Sequence, residues 1–315
     1  MYALAQFIMS SRIRALLVAF AGNLLPLLSP ATVVLVTARR GASEGMLVLL
    51  WSMLPLVAML YVNETNPLMV WASLASVLVV FVGALVLKAT ASWQSTLLVV
   101  VLLSALTMSV MNKGMSEDVA QLRVAFVEML EQMQAPASDE SVQSGELAQL
   151  GQDQAGRVSG EAGEGTPSIA LPLGDSFVLG LLAWIVAAGA VGSLLLGRWW
   201  QALLYNPGGF AKEFQSLRIQ RPLALALLAG MTGCYLYSAD YAAWGSLMGL
   251  PVLVAGLALI HHLAAAAKIG THWLGIFYIC LAFLLGPMSM MLVGLGLLDS
   301  MIDLRSRWAS RSRGA

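Results

Sequence analysis

The chain has 315 residues, of which 59% are hydrophobic and only 11% are charged. Soluble globular domains carry about 25% charged residues, so this composition excludes an ordinary soluble domain and predicts an integral membrane protein whose main partner is the lipid bilayer. The 17 basic and 17 acidic residues cancel, which argues against a nucleic-acid-binding protein, since such proteins need a basic excess.

Long apolar runs recur along the whole chain. A transmembrane helix needs about 20 apolar residues, and these runs reach or approach that length: 15–38, 46–62, 68–87, 95–111, 176–197, 222–238, 246–267 and 271–300. The eight runs are continuous and do not alternate, which excludes a β-barrel and predicts an all-α, polytopic transmembrane helix bundle. None carries a charged residue near its middle, which argues against a proton-coupled antiporter or a voltage sensor.

The first and the last runs contain proline and are the longest of their halves. Proline removes a helical hydrogen-bond donor and clashes with the preceding turn. We therefore expect the first run to break near Pro26 and Pro30, and the last run to break at Gly286-Pro287. Residues 30–38 are too short to cross a membrane fully, so they should form a short or tilted helix that is shielded by protein.

These two breaks determine the predicted orientation. If both runs turn back, both termini and every short basic loop lie on one side of the membrane. Basic loops prefer the cytoplasm, so we expect both termini on the cytoplasmic side of a bacterial inner membrane and residues 113–172 outside. Arg12 and Arg14 precede the first run as in a signal peptide, but no small-residue cleavage site follows, so we expect a retained membrane segment.

The middle of the chain differs from both membrane halves. Ser116, which is followed by two acids, is typical of a helix N-cap, and the apolar residues behind it recur at helical spacing, which predicts an amphipathic helix. The stretch behind that helix is rich in Ser, Gly, Gln and acids, which predicts a flexible acidic linker. The predicted units are a membrane half at 1–112, the amphipathic helix at 113–135, the linker at 136–172, a second membrane half at 173–304 and a basic tail at 305–315.

Polar and aromatic residues cluster in two loops that this orientation places outside. The candidate ligand-binding residues of these loops are Asn63, Glu64, Asn66, Tyr237, Asp240 and Tyr241. Aromatic residues at this level normally form an interfacial belt. The alternative is that the loops close over a small ligand that enters from outside.

Residues 198–218 combine aromatic and basic residues on the predicted inner side. Trp199 and Trp200 suit the level of the lipid headgroups, and Phe210 and Phe214 recur at helical spacing with charged residues between them. A cytoplasmic helix that lies in the membrane interface explains this pattern. Docking of a partner protein is the alternative.

Pairs of small residues suggest close approach between helices. Gly41 and Gly45 follow two arginines, and Ala15 and Ala19 lie in the first run. Two small residues four positions apart allow helix backbones to approach closely. For the glycine pair, a flexible cytoplasmic turn is the alternative.

The sequence offers no residue set that is typical of catalysis. Cys234 and Cys280 lie in separate apolar runs without metal-ligand spacing. Adjacent His261 and His262 point about 100° apart on a helix, which is poor geometry for chelation. No run carries paired carboxylates or a nucleophile with its base, so we expect no enzyme, no metal and no cofactor. The leading hypothesis is a membrane protein that binds a small molecule or a partner within a transport assembly, and the alternative is a non-catalytic scaffold of the cell envelope.

The overall pattern resembles the YybS-like family of uncharacterised bacterial membrane proteins. The resemblance rests on the proline-broken first run that ends in Arg39-Arg40-Gly41, the amphipathic helix, and the ending from Gly294 to Arg305. That family is distantly similar to the substrate-capture subunits of energy-coupling-factor vitamin transporters. The resemblance implies that Gly41 to Gly45 form a cytoplasmic loop, and that Ala15 and Ala19 form a small-residue face for a membrane or cytoplasmic coupling protein.

Overall fold

The computed structural model describes residues 1–25, 27–61, 66–130, 132 and 174–307, and every regular element in these ranges is a helix. In chain order the helices are α1 (Tyr2–Ser10), α2 (Arg12–Ala21), α3 (Leu28–Arg40), α4 (Ala42–Met59), α5 (Pro67–Thr90), α6 (Trp93–Gly114), α7 (described over 116–130), α8 (Asp175–Tyr205), α9 (Gly209–Ser216), α10 (Arg221–Tyr237), α11 (Ala242–Ala266), α12 (Thr271–Phe283) and α13 (Leu285–Ile302). The predicted all-α class is confirmed, and a helix follows α6 at residues 116–130, while the predicted linker at 136–172 lies outside the described residues.

The chain is a multi-pass membrane protein. Six helical segments of the described chain are long and apolar enough to cross a membrane, namely α4, α5, α6, α8, the segment Ala239–Ala266 that contains α11, and α13. Leu102, Leu106 and Val110 form an apolar stripe along α6 and are 60 to 64% exposed. A continuous exposed apolar surface of this kind suits lipid and not water.

The predicted number of about eight spans is not confirmed. The first run divides into α2 and α3, which have 10 and 13 residues, and α12 in the last run also has 13 residues. The run near 222–238 forms α10, which has 17 residues. Helices of 10 to 13 residues span only about 15 to 20 Å at 1.5 Å per residue, which is too short for a hydrocarbon core of about 30 Å.

The first run folds into a hairpin of α2 and α3, as its two prolines led us to expect. Arg12 at the start of α2 pairs with Glu44 of α4 at 2.5 Å. Arg40 at the end of α3 donates to the carbonyl oxygen of Met9 at 2.6 Å. The hairpin therefore starts and ends at the same end of the bundle. As predicted, α3 is shielded by protein, since every residue from 31 to 37 is buried.

Polar side chains complete the backbone hydrogen bonds at the tip of this hairpin. Asn23 donates to the carbonyl oxygen of Ser52 at 3.0 Å and to that of Phe20 at 3.2 Å, and Ser29 donates to the carbonyl oxygen of Ala19 at 2.6 Å. Ser52 is the eleventh residue of the 18-residue α4, so the tip lies about 15 Å along that helix. Backbone that ends within a membrane needs such partners because lipid supplies none.

The last run also breaks near its Gly286-Pro287 pair, as the sequence predicted. The break falls at Leu284 between α12 and α13, and Pro287 occupies the first turn of α13, where a helix has no use for its missing N–H. After the break α13 returns to the end from which α12 started, since Arg305 behind α13 donates to the carbonyl oxygen of Leu217 at 2.7 Å.

Most of the described basic side chains gather at one end of the bundle, which we call the basic end. Contacts between helix termini establish this: Lys88 with Thr37, Arg39 with Tyr205, Arg198 with Glu213, Arg218 with Asp299 and Arg305 with Leu217, in addition to the two contacts of the first hairpin. At the opposite end, Asn66 contacts Asp118, Arg123 contacts Asp175, and Asp240 contacts Gly174. The two broken runs thus bring the short basic segments together, as the sequence predicted.

Helix α8 is the central element of the bundle. It packs against α3, α5 and α6 of the first membrane half and against α11 of the second. With 31 residues it is about 46 Å long, which is longer than the hydrocarbon core of about 30 Å that a span has to cross. Gly197 allows its close approach to α3, because an added Cβ would lie 2.6 Å from that of Val34.

Candidate functional site

The predicted ligand-binding residues of the outer loops do not form one cluster in the described structure. Asn63 and Glu64 lie outside the described residues. Asn66 caps α5 by accepting from the N–H of Leu68 at 2.9 Å, and its amide donates to α7. Its polar atoms therefore serve the ends of two helices.

The other loop residues lie where α10 turns into α11. Asp240 accepts from the N–H of Gly174 at 3.0 Å, which ties the loop to the start of α8. Tyr237 and Tyr241 contact each other edge to face at 5.1 Å, and Tyr237 is 77% exposed. An aromatic pair at the end of the spans, with Tyr237 exposed and Tyr241 half-buried, also fits the interfacial belt that is the alternative interpretation.

The predicted small-residue face is covered by the chain itself. Ala15 and Ala19 are at most 1% exposed and belong to a core formed with residues of α3 and α4. In this structure the two alanines therefore bring helices of one chain together and offer no free surface to a coupling protein.

Gly41 and Gly45 have two different roles. Gly41 joins α3 to α4 with a φ of +108°, a conformation that residues with a Cβ rarely adopt. At Gly45 an added Cβ would overlap the side chain of Thr37 and lie 3.0 Å from its Cα. The pair thus contains one tight turn and one close helix contact.

The predicted interfacial face of 198–218 is largely turned inward, which corrects the expectation of a lipid contact. Trp200 is fully buried and Phe214 is 6% exposed, whereas Trp199 is 37% exposed. Phe210 stacks on Phe214 at 5.8 Å, and Phe214 contacts the ring of His261 at 5.3 Å. The apolar side of α9 therefore packs on α11, and Trp199 is the exposed aromatic residue among these four.

A charged network surrounds Glu213 on α9. Arg198 donates to both carboxylate oxygens of Glu213 at 2.7 to 3.1 Å, and the indole N–H of Trp93 donates to Oε1 at 2.8 Å. Arg198 also donates to the amide oxygen of Gln201 at 2.6 Å. Two-point contacts between guanidinium and carboxylate hold both groups in one geometry, so the network fixes α9 against α6 and α8.

A cavity of about 230 Å³ lies beside this network at the basic end. It is formed by α3, α5, α8 and α9, and its lining residues are Val34, Ala38, Ala84, Leu87, Lys88, Ala91, Arg198, Gln201 and Glu213. Two bases and one acid give the lining a formal charge of +1. The cavity therefore combines apolar walls with a charged patch, which is the usual make-up of a small-molecule site.

Sequence reasoning did not single out this cavity. In the sequence Lys88 is one of the short basic segments, Arg198 is the first residue of the aromatic and basic stretch 198–218, and Glu213 is one of the charges between its aromatic residues. The contacting residues are far apart in the sequence: Arg198 and Glu213 are separated by 15 positions, and Trp93 and Glu213 by 120. A single acid within the basic stretch 198–218 was the one available signal, since an acid among bases suggests an internal ion pair.

A second charged cluster joins the end of α13 to the segment between α9 and α10. Asp299 is 2% exposed and accepts from Nε of Arg305 at 3.0 Å and from the N–H of Leu304 at 3.1 Å. Arg305 also donates to the carbonyl oxygens of Gln215 and Leu217. These contacts complete the hydrogen bonds of a buried ion pair, and they fasten the C-terminal end of the described chain to the basic end.

In the described part of the chain, no three His, Cys, Asp or Glu side chains lie close enough to hold a metal ion. No protein-family model, no curated protein and no solved structure matches the chain. The resemblance to the YybS-like family therefore stays a prediction, and the functional argument depends on the cavity and its charges.

Proposed function

We propose that the protein is a non-catalytic binding component of a transport assembly in a bacterial inner membrane, with its basic end in the cytoplasm. The preference of Lys and Arg for the cytoplasmic side supports this orientation. The observation that carries the proposal is the cavity at the basic end, where charged side chains line a space between four helices of a largely apolar bundle. Ligand sites commonly lie between helices and need few polar groups.

Retention of a ligand tests this proposal. Full-length protein purified in a mild detergent is examined by native mass spectrometry, and Ala38→Leu is compared with Ala89→Leu. Ala38 lines the cavity, whereas Ala89 is exposed on α5 and does not line it. We expect a bound small molecule on the wild type and on Ala89→Leu but not on Ala38→Leu. Equal retention by the two variants would rule out the cavity as the binding site.

Co-purification separates transport from the alternative of an envelope scaffold. One observation favours the scaffold: α7 at the opposite end leaves Val124 and Met129 49% and 48% exposed, and such apolar residues can contact another protein or the lipid surface. An ATPase pair recovered with the protein supports the transport assembly. Recovery of envelope-assembly proteins alone, lost in Val124→Ser, would support the scaffold.

A further inference from the structure

Lys88 brings an uncompensated positive charge to the cavity. Its ammonium group has three N–H donors, and one of them bonds the carbonyl oxygen of Thr37 at 3.2 Å. Within the described residues no carboxylate lies within 4.0 Å of it. Two donors and a full charge therefore remain for a ligand.

Arg198 presents further donors to the same cavity. Its guanidinium has five N–H groups. Three of them are used: one on Nε and one on Nη2 donate to Glu213, and one on Nη1 donates to Gln201. Two remain without a partner in the described chain. Glu213 forms its ion pair with Arg198 and none with Lys88 in the described chain, so the lining keeps a formal charge of +1.

From these contacts we infer that the cavity binds a phosphate group between Lys88 and Arg198. The inference rests on the proposed function and adds the chemical class of the ligand. Phosphate oxygens accept several hydrogen bonds at once and pair strongly with guanidinium and ammonium groups. The cavity volume of about 230 Å³ holds a phosphate group with a few further atoms, but not a whole phospholipid.

Two sources supply a phosphate group at this position. One is a small phosphorylated solute from the cytoplasm. The other is the headgroup of an anionic phospholipid, because basic pockets between helices on the cytoplasmic side bind such headgroups, and Val34, Ala84 and Leu87 give the cavity apolar walls. The two sources share one recognition chemistry and differ in whether the ligand carries acyl chains.

The experiment uses full-length protein and charge-neutral variants. Lys88→Gln removes the charge and keeps an N–H for the carbonyl of Thr37, and Lys88→Arg keeps the charge. Lys212→Gln is the matched control, because Lys212 is an exposed base on α9 that does not line the cavity. Delipidated protein in neutral detergent is titrated with inorganic phosphate by thermal shift. In parallel, protein from nanodiscs of phosphatidylcholine with and without phosphatidylglycerol is examined by native mass spectrometry.

We expect one of the two probes to bind the wild type, and Lys88→Gln to weaken that binding about tenfold or more, the usual effect of losing a charged hydrogen bond. Lys212→Gln should bind like the wild type, and Lys88→Arg should restore most of the affinity. Stabilisation by inorganic phosphate identifies a solute site. Retained phosphatidylglycerol, with no stabilisation by inorganic phosphate, identifies a lipid site. Binding of neither probe, or equal losses in Lys88→Gln and Lys212→Gln, would overturn the inference. A neutral ligand that is lost in Ala38→Leu would overturn it as well but leave the proposed function intact.

Discussion

Asp299 and Arg305 are an ion pair whose side chains are only 3% and 11% exposed. Removing one partner of a buried pair leaves the other charge without compensation, which costs about 3–5 kcal/mol. We therefore expect Arg305→Met to lower the thermal midpoint of the detergent-purified protein strongly. Arg221→Met is the control, because Arg221 is exposed at the start of α10. If both variants melt at the same temperature, the pair contributes little to stability.

Asp303 supports the same region by a weaker and pH-dependent contact. A hydrogen bond from the N–H of Ser306, at 3.3 Å, and the pairing with Arg218, at 3.0 Å, lower the pKa of the Asp303 carboxyl below its usual 3.8. A lowered folded-state pKa means that the ionised group contributes stability above about pH 4, and that this contribution is lost as the pH falls through the lowered value.

The comparison of Asp303→Asn with the wild type measures this contribution. Asn suits the position because Asp303 has a φ of +52°, a left-handed conformation that Asn tolerates. We expect the thermal midpoint of the variant to lie below that of the wild type at about pH 6, and the difference to shrink at about pH 3. A difference that is the same at both pH values would mean that the charge of Asp303 is not its source.

At the scale of elements, α11 and α13 are held together by two glycines. An added Cβ at Gly256 would overlap the carbonyl oxygen of Leu292, and one at Gly296 would overlap that of Val252. Helices in a membrane associate through close packing of this kind, because lipid removes the hydrophobic driving force between them.

Gly256→Ala should therefore push the two helices apart and destabilise the protein by about 1–3 kcal/mol, the usual cost of overpacking. Gly189→Ala is the matched control, since nothing lies within 4 Å of an added Cβ there. That control should be neutral or stabilising, because alanine is the better helix former by about 1 kcal/mol. Equal thermal midpoints for the two variants would show that the α11–α13 contact adapts freely.

For the whole molecule, the predicted orientation of the two ends of the bundle predicts which single cysteines a reagent outside the cell can label. In a background with Cys234→Ala and Cys280→Ala, single cysteines are placed at Lys212, Ser144 and Leu24 and treated with a charged, membrane-impermeant reagent. Lys212 lies at the basic end, and Leu24 is 88% exposed at the tip of the first hairpin. Ser144 belongs to the predicted outer segment, which lies outside the described residues.

We expect Ser144→Cys to be labelled in intact spheroplasts and Lys212→Cys only after permeabilisation. Leu24→Cys should resist labelling in both conditions, because the hairpin tip lies beside the middle of α4, where we expect it to face lipid. Labelling of Lys212→Cys from outside would invert the orientation, and rapid labelling of Leu24→Cys would show that the hairpin tip reaches an aqueous surface.

The sequence alone was sufficient for the helical membrane class, for the breaks in the first and last runs, and for the gathering of basic segments at one end. Each of these follows from local chemistry. An apolar run of about 20 residues has to satisfy its backbone as a helix in lipid. Proline weakens a helix by removing an N–H donor, and the two runs that break near proline are also longer than one span needs, whereas α4 and α11 continue through Pro55 and Pro251.

The tertiary structure decided which apolar residues face protein and which face lipid. Phe214 and Trp200 are buried while Leu102 and Leu106 are exposed, although all four are apolar. Lipid tails are about as apolar as the interior of the bundle, so hydrophobicity has no reason to distinguish the two surroundings, and the periodicity of the sequence does not separate them. Likewise, the cavity at Lys88 depends on contacts between distant segments, such as Trp93 with Glu213, which only the packing of α5, α6, α8 and α9 brings together.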